Sequence, residues 1–215
     1  MRNAAFHIET VCSERSFGLQ IGEGRTALSG EFDKPEEESA LRLAQTFIFF
    51  GFGQEALQVL DLEPAQSLRR RSLADIARII DDREVDPTPY VDQISCPSAV
   101  ALWSLLATEG IELEGIAPQD SILRSFKGLP QNIQTIVAPR LSRAFVRLGN
   151  IDASRQVMDR SAGPVSDPGK NAIAQSELAN AENDAERAFE VLEANLKETG
   201  RASPDLVREL LKTGI

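Results

Sequence analysis

Side-chain chemistry requires a few residue types held close together, so the histidine, carboxylates, cysteines and arginines are read first. His7 is the only histidine. No cysteine cluster accompanies it to complete a zinc set, and no G-x-S-x-G elbow exists for it to serve. The expectation is a surface or partly packed imidazole. Gly22-Glu23-Gly24-Arg25-Thr26 contains a G-x-G but lacks the third glycine and the Lys-Ser/Thr of a phosphate loop, so nucleotide binding is not expected there. Carboxylates are plentiful at Glu36-Glu37-Glu38, Asp81-Asp82, Glu112, Glu114 and Asp120. Glycosidase or metal chemistry needs two of them at a set separation, which nothing in the spacing fixes, and no EF-hand pattern occurs. The three glutamates fall where a helix would begin and suit its dipole. Asp81 and Asp82 fall at a helix end, where the dipole disfavours them, so exposure at a turn is expected.

Basic residues cluster twice in this acidic chain. Arg69-Arg70-Arg71 must wrap around its helix and so cannot form one patch. Arg140, Arg143 and Arg147 are spaced by three and four, which puts them on one ridge. Such a ridge could hold a carboxylate or an acidic peptide. The alternative is a solvated face paired with nearby Asp and Glu. Exposure of the flanking Ile136 and Val146 would favour the first reading. Cys12 and Cys96 are too far apart for a CxxC motif. If they meet, a disulfide closes a long loop and contributes about 2–5 kcal/mol; otherwise they are two buried, inert thiols.

The chain has 215 residues, 42% of them apolar, enough to bury a core. A net charge of −10 repels nucleic-acid phosphates and anionic lipid. With 6% aromatics, one Trp and one Tyr, a base-stacking platform is not expected. No apolar run approaches the roughly 20 residues of a membrane span, and Arg2 is followed by no signal-peptide core. No cofactor is implied. A cytoplasmic location is expected for a complete chain and a periplasmic one for a segment of an exported protein.

Residues 1–34, with four of the fourteen glycines, suggest an irregular or short-strand lead-in. From Pro35 to residue 215 the sequence reads as one helical domain of about ten helices, with a break expected near 162–170. The first helix of that domain ends at Gly51 and the next before Pro64. Others are expected over 65–82, 97–110, 119–128, 130–149, 150–161, 171–182 and 184–199. Pro139 must kink its helix or begin a new one, and Ser203-Pro204 should cap the last.

FIFFGFGQEALQVLDL, residues 47–62, places two glycines between apolar runs. Leu43, Ala44, Phe47, Gly51, Ala56 and Leu60 align with Leu141, Ser142, Phe145, Gly149, Ser154 and Met158. A weaker third copy is Ser176, Ala179, Asn183, Ala188 and Leu192, with Asn183 placed 34 residues after Gly149. Small residues let two antiparallel helices approach, bulky ones fill the space beside them, and glycine or asparagine lets the chain reverse. This pattern resembles the tetratricopeptide repeat, whose period is about 34 residues. The wording also looks like uncharacterised helical-repeat proteins of alphaproteobacteria. The likeness covers roughly 40–60, 138–161 and 172–195 and lacks the early aromatic and the consistent closing proline. It implies an all-α, right-handed α-solenoid of degenerate antiparallel hairpins. It further implies a non-catalytic scaffold that binds a peptide or partner helix in a groove, with the Arg140 ridge facing that groove. Two other readings stay open: a structural module of a longer envelope protein, and an enzyme whose carboxylates come from several helices. Oligomeric state is open, with LVRELLKTGI a candidate capping or pairing helix.

Overall fold

The computed structural model describes residues 16–28, 36–62, 67–96, 98–108, 118–201 and 203–213. Among these the chain is all helical: α1 Phe17–Leu28, α2 Glu37–Phe49, α3 Gly53–Asp61, α4 Leu68–Ile80, α5 Ala99–Ala107, α6 Gln119–Gly128, α7 Gln131–Arg147, α8 Ile151–Met158, α9 Pro168–Ala181, α10 Ala185–Thr199 and α11 Pro204–Thr213, with a 3₁₀ turn at Val91–Gln93. No helix among the described residues is long and apolar enough to cross a membrane. Two compact units divide the chain, Met1–Ile133 and Gln134–Ile215.

In the first unit, α2 packs on α3, α3 on α4, and α2 also on α4, so α2 meets both its next and its next-but-one neighbour. Ala44 and Ala56 are fully buried, and Leu43, Phe47 and Leu60 fill the space around them. All nine residues of α5 are buried. The lead-in departs from expectation, because Phe17–Leu28 is a helix packed on α2. Its glycines lower helix propensity, but packing against α2 overrides that. A Cβ at Gly24 would lie 2.7 Å from Leu43 Cδ1, so this glycine sets a close helix approach.

In the second unit, α8 packs on α9, α9 on α10, and α11 on both α9 and α10. Ser142 and Ser154 are fully buried and share a 2.7 Å hydrogen bond at the close crossing of α7 and α8. Leu141 and Phe145 are fully buried beside them, with Met158 against Ala174 and Leu178. Ile173, Leu192 and Leu206 join α9, α10 and α11. Asp167 and Asp184 cap α9 and α10 through the backbone N–H of Lys170 and Arg187. Ser203 caps α11 as expected, accepting from the Leu206 N–H at 3.2 Å. α7 runs through Pro139 as one element. The stretch near 162–170 is a packed turn: Asn171 Nδ2 donates to Ser161 O and Ser166 Oγ, and Gly163 lies against Thr135.

One turn recurs. Gly51, Gly149 and Asn183 all adopt positive φ, at 84°, 72° and 63°. After each, the next N–H donates to a carbonyl five residues back: Phe52 to Phe47, Asn150 to Phe145, and Asp184 to Ala179, all at 2.9 Å. This is the Schellman closure, which satisfies carbonyls otherwise orphaned at a helix end. A fourth copy ends α4, where Asp82 has φ 56° and the Arg83 N–H reaches Arg78 O. Gly53 does different work. A Cβ there would collide with the Ala77 carbonyl and lie 2.6 Å from Asp81 Oδ1. Asp81 is therefore only half-exposed, and its carboxylate sits at the first residue of α3, where the dipole favours it. The exposure expected of Asp81 at its own helix end is thereby corrected; Asp82 is exposed.

Gly51→Val should destabilise the chain by over about 1 kcal/mol through left-handed strain. Gly53→Ala should cost about 1–3 kcal/mol through overpacking against backbone. Urea unfolding checks both, and parental midpoints would overturn the assignments. The serines predict opposite signs. Ser142→Ala leaves Ser154 Oγ buried without its partner and should cost about 1–3 kcal/mol. Ser176 Oγ is buried without a hydrogen bond, so Ser176→Ala should be neutral or stabilising.

Candidate functional site

The arginine ridge is the first candidate. Arg143 Nε donates to Glu177 Oε1 at 3.0 Å, tying α7 to α9. Arg140 is half-buried and Arg147 exposed. Val146 packs beside Met158, Ala174 and Leu178, and neither it nor Ile136 is exposed. The apolar flanks that would favour a ligand groove are therefore occupied by the protein's own packing. The Arg69–Arg71 run disperses as expected. Arg69 spans to Glu38 and Gln45 on α2, Arg70 lies 3.9 Å from Asp61, and Arg71 is exposed. Glu38 is thus a partner for α4 as well as a first-turn anion. Cys96 is a half-buried free thiol whose Sγ lies 3.8 Å from Gln93 Oε1. Cys12, His7, Glu112 and Glu114 lie outside the described residues. Asp120 is exposed in the first turn of α6. Among the described residues, no group of acidic, histidine and cysteine side chains could hold a metal.

The second candidate comes from the elements around the Gly-Phe-Gly turn. A cleft of about 490 Å³ is lined by Phe17, Gly18, Ile21, Gly22 and Arg25 of α1, Phe47 of α2, and Phe52 and Glu55 at the start of α3. That volume is in the range of ordinary ligand sites. Its floor is Phe47, the bulky repeat residue, 4% exposed. Phe17 packs on Phe50 at 4.9 Å, edge to face, and on Phe52 at 5.0 Å. Even so, Phe17 and Phe52 remain 38% and 41% exposed. Phe17 opens α1 and Phe52 precedes α3, so both helices begin at this aromatic end. Arg25 lies about 12 Å along α1 and Glu55 about 4.5 Å along α3. Asn132 Nδ2 fixes the turn from behind by donating to Phe49 O at 2.9 Å.

Gly18 and Gly22 are one turn apart on this face, and a Cβ added at either meets nothing within 4 Å. Packing against the described residues therefore does not require glycine at these positions, unlike Gly24. Neither the glycines nor Phe52 and Glu55 were assigned to a site by sequence reasoning. The signal was Phe17-Ile21-Arg25 at helical spacing, obscured by three glycines that read as irregular chain. Comparison with protein-family models, with curated proteins and with solved structures finds no match to this chain.

The most strongly shifted titratable group lies elsewhere. Tyr90 is 1% exposed, and its hydroxyl donates to Asp75 Oδ2 at 2.7 Å while Arg78 pairs with Asp75 Oδ1 at 2.8 Å. Burial first, then the Asp75 carboxylate, pushes the phenol far above its ordinary range. This is a strut that pins the 83–96 connection to α4. A raised native pKa means stability is fully present below the unfolded value near 10 and is lost as pH rises past it, by about 1.4 kcal/mol per pH unit. Tyr90 is the only tyrosine, so phenolate absorbance reports it alone. That absorbance should appear only as the chain unfolds in alkali. Titration near pH 10 with helical circular dichroism intact would refute the strut.

Proposed function

We propose that this protein is a non-catalytic interaction module. Its hairpins α2–α3, α7–α8 and α9–α10 are degenerate repeats of the tetratricopeptide type, belonging to a right-handed solenoid. The shared turn closure, the small-residue crossings and the next-but-one helix contacts within each unit support the repeat reading. The carboxylate-binding ridge expected at Arg140, Arg143 and Arg147 is the weaker binding surface, since Arg143 is engaged with Glu177. The cleft between α1 and α3 is the stronger one.

One observation carries this choice. Among the described residues, nothing fills the space where a side chain would stand at Gly18 and Gly22, and a helical glycine costs about 1 kcal/mol relative to alanine. Two such residues line the α1 wall of a cleft that keeps two phenylalanines partly exposed to water. Stability is forgone where a partner would need access. The test is Gly22→Leu, which should fill the cleft without clash and hold or raise the melting temperature. A partner retained from native lysate by the parent chain should be lost by this variant. An identical retained set from both proteins would overturn the proposal.

A further inference from the structure

Resting on the cleft reading, we propose that the occupant is an amphipathic helix of a partner protein. It lies along α1, with a basic residue opposite Glu55 and an acidic residue opposite Arg25, roughly one turn further from the aromatic end. The cleft walls are helices, whose own N–H and C=O groups are paired beyond the first turn of each. Its lining is mostly phenylalanine, isoleucine and glycine. An extended segment running along the cleft beyond those first turns would lose water from its backbone and find only the Arg25 and Glu55 side chains as partners, a penalty at most of its buried amides. Among the described residues no strand offers an edge to add to. A helix arrives with its backbone satisfied and needs only apolar anchors on one face. Gly18 and Gly22 leave a bare strip one turn long, along which a second helix axis can approach closely.

The charges set the direction. Arg25 and Glu55 both line the cleft, and no ion pair joins them. They stand at different heights from the Phe17–Phe52 end, so a bound helix with its own opposite charges matches in one orientation and is repelled in the other.

Calorimetric titration of the full chain with synthetic peptides tests this. The probe is a stapled helix of about 15 residues with leucines at i, i+4 and i+7 and a matched Lys and Glu. Its comparators are the same peptide with Lys and Glu exchanged, and an unstapled version broken by a central proline. The matched helix should bind about tenfold tighter than the exchanged one. The doubly charge-swapped protein, Arg25→Glu with Glu55→Lys, should reverse that preference, and the proline-broken peptide should not bind. Equal binding of stapled and broken peptides, abolished by Gly22→Leu, would overturn the helix while sparing the cleft. Equal binding of the two charge orders would overturn the polarity. No binding by any peptide, or binding indifferent to Gly22→Leu, would overturn the cleft reading as well.

Discussion

The structure depends on how closely two helices can cross. Ala44 on α2 and Ala56 on α3 are fully buried in a packed helix pair, and Ser142 on α7 is bonded to Ser154 on α8, so both hairpins bury small residues on their facing helices. At such a separation, bulky neighbours such as Phe47 and Phe145 fill the space alongside, and interiors tolerate little error in that fit. The crossing also constrains the turn. A chain that must reverse within a few residues while keeping helix-end carbonyls satisfied has few solutions, and this protein uses one of them four times. Small crossing residues and a left-handed turn residue are therefore two consequences of one requirement.

Charge follows the same repeat. Arg69 of α4 reaches Glu38 of α2, and Arg143 of α7 reaches Glu177 of α9. Each pair joins the first helix of one hairpin to the next helix but one. Both pairs keep substantial solvent contact, so each contributes at most about 1 kcal/mol. Their value lies in register: in a net-acidic chain, an arginine aimed at one glutamate disfavours rotated packings in which that glutamate would face another acid. Arg143, which spacing alone makes a candidate ligand for an external carboxylate, finds its carboxylate within the protein.

The legibility of the fold in the sequence tracks the physics of particular residues. Gly51, Gly149 and Asn183 were readable because few other residues adopt positive φ without strain. Asp82 is exposed at a turn as expected, but its left-handed φ and the shared turn closure were not legible, since aspartate is common at exposed helix ends for other reasons. Asp81 was misplaced because its dipole environment comes from α3, an element its own neighbourhood does not reveal. α1 was missed because local propensity counts three glycines against a helix, while Ile21 and the Gly24–Leu43 contact that hold it are tertiary. With α1 unread, the cleft could not be assembled from the sequence; of its lining, Phe47 stood out as a repeat residue, and Gly22 and Arg25 only within a G-x-G stretch at which nucleotide binding is not expected.

The glycines of α1 separate packing from access. Gly24 and Gly53 have neighbours that a methyl group would strike, and their identity is explained by the fold alone. Gly18 and Gly22 have none, although they share a helix with Gly24 and the same propensity penalty. If helix approach were the sole reason for glycine in α1, the space beside all three would be filled by protein. Among the described residues it is filled only at Gly24, on the side facing α2. On the side facing the cleft, the backbone is bare beside two exposed phenylalanine rings. That asymmetry within one helix separates a glycine explained by packing from two that packing among the described residues does not explain.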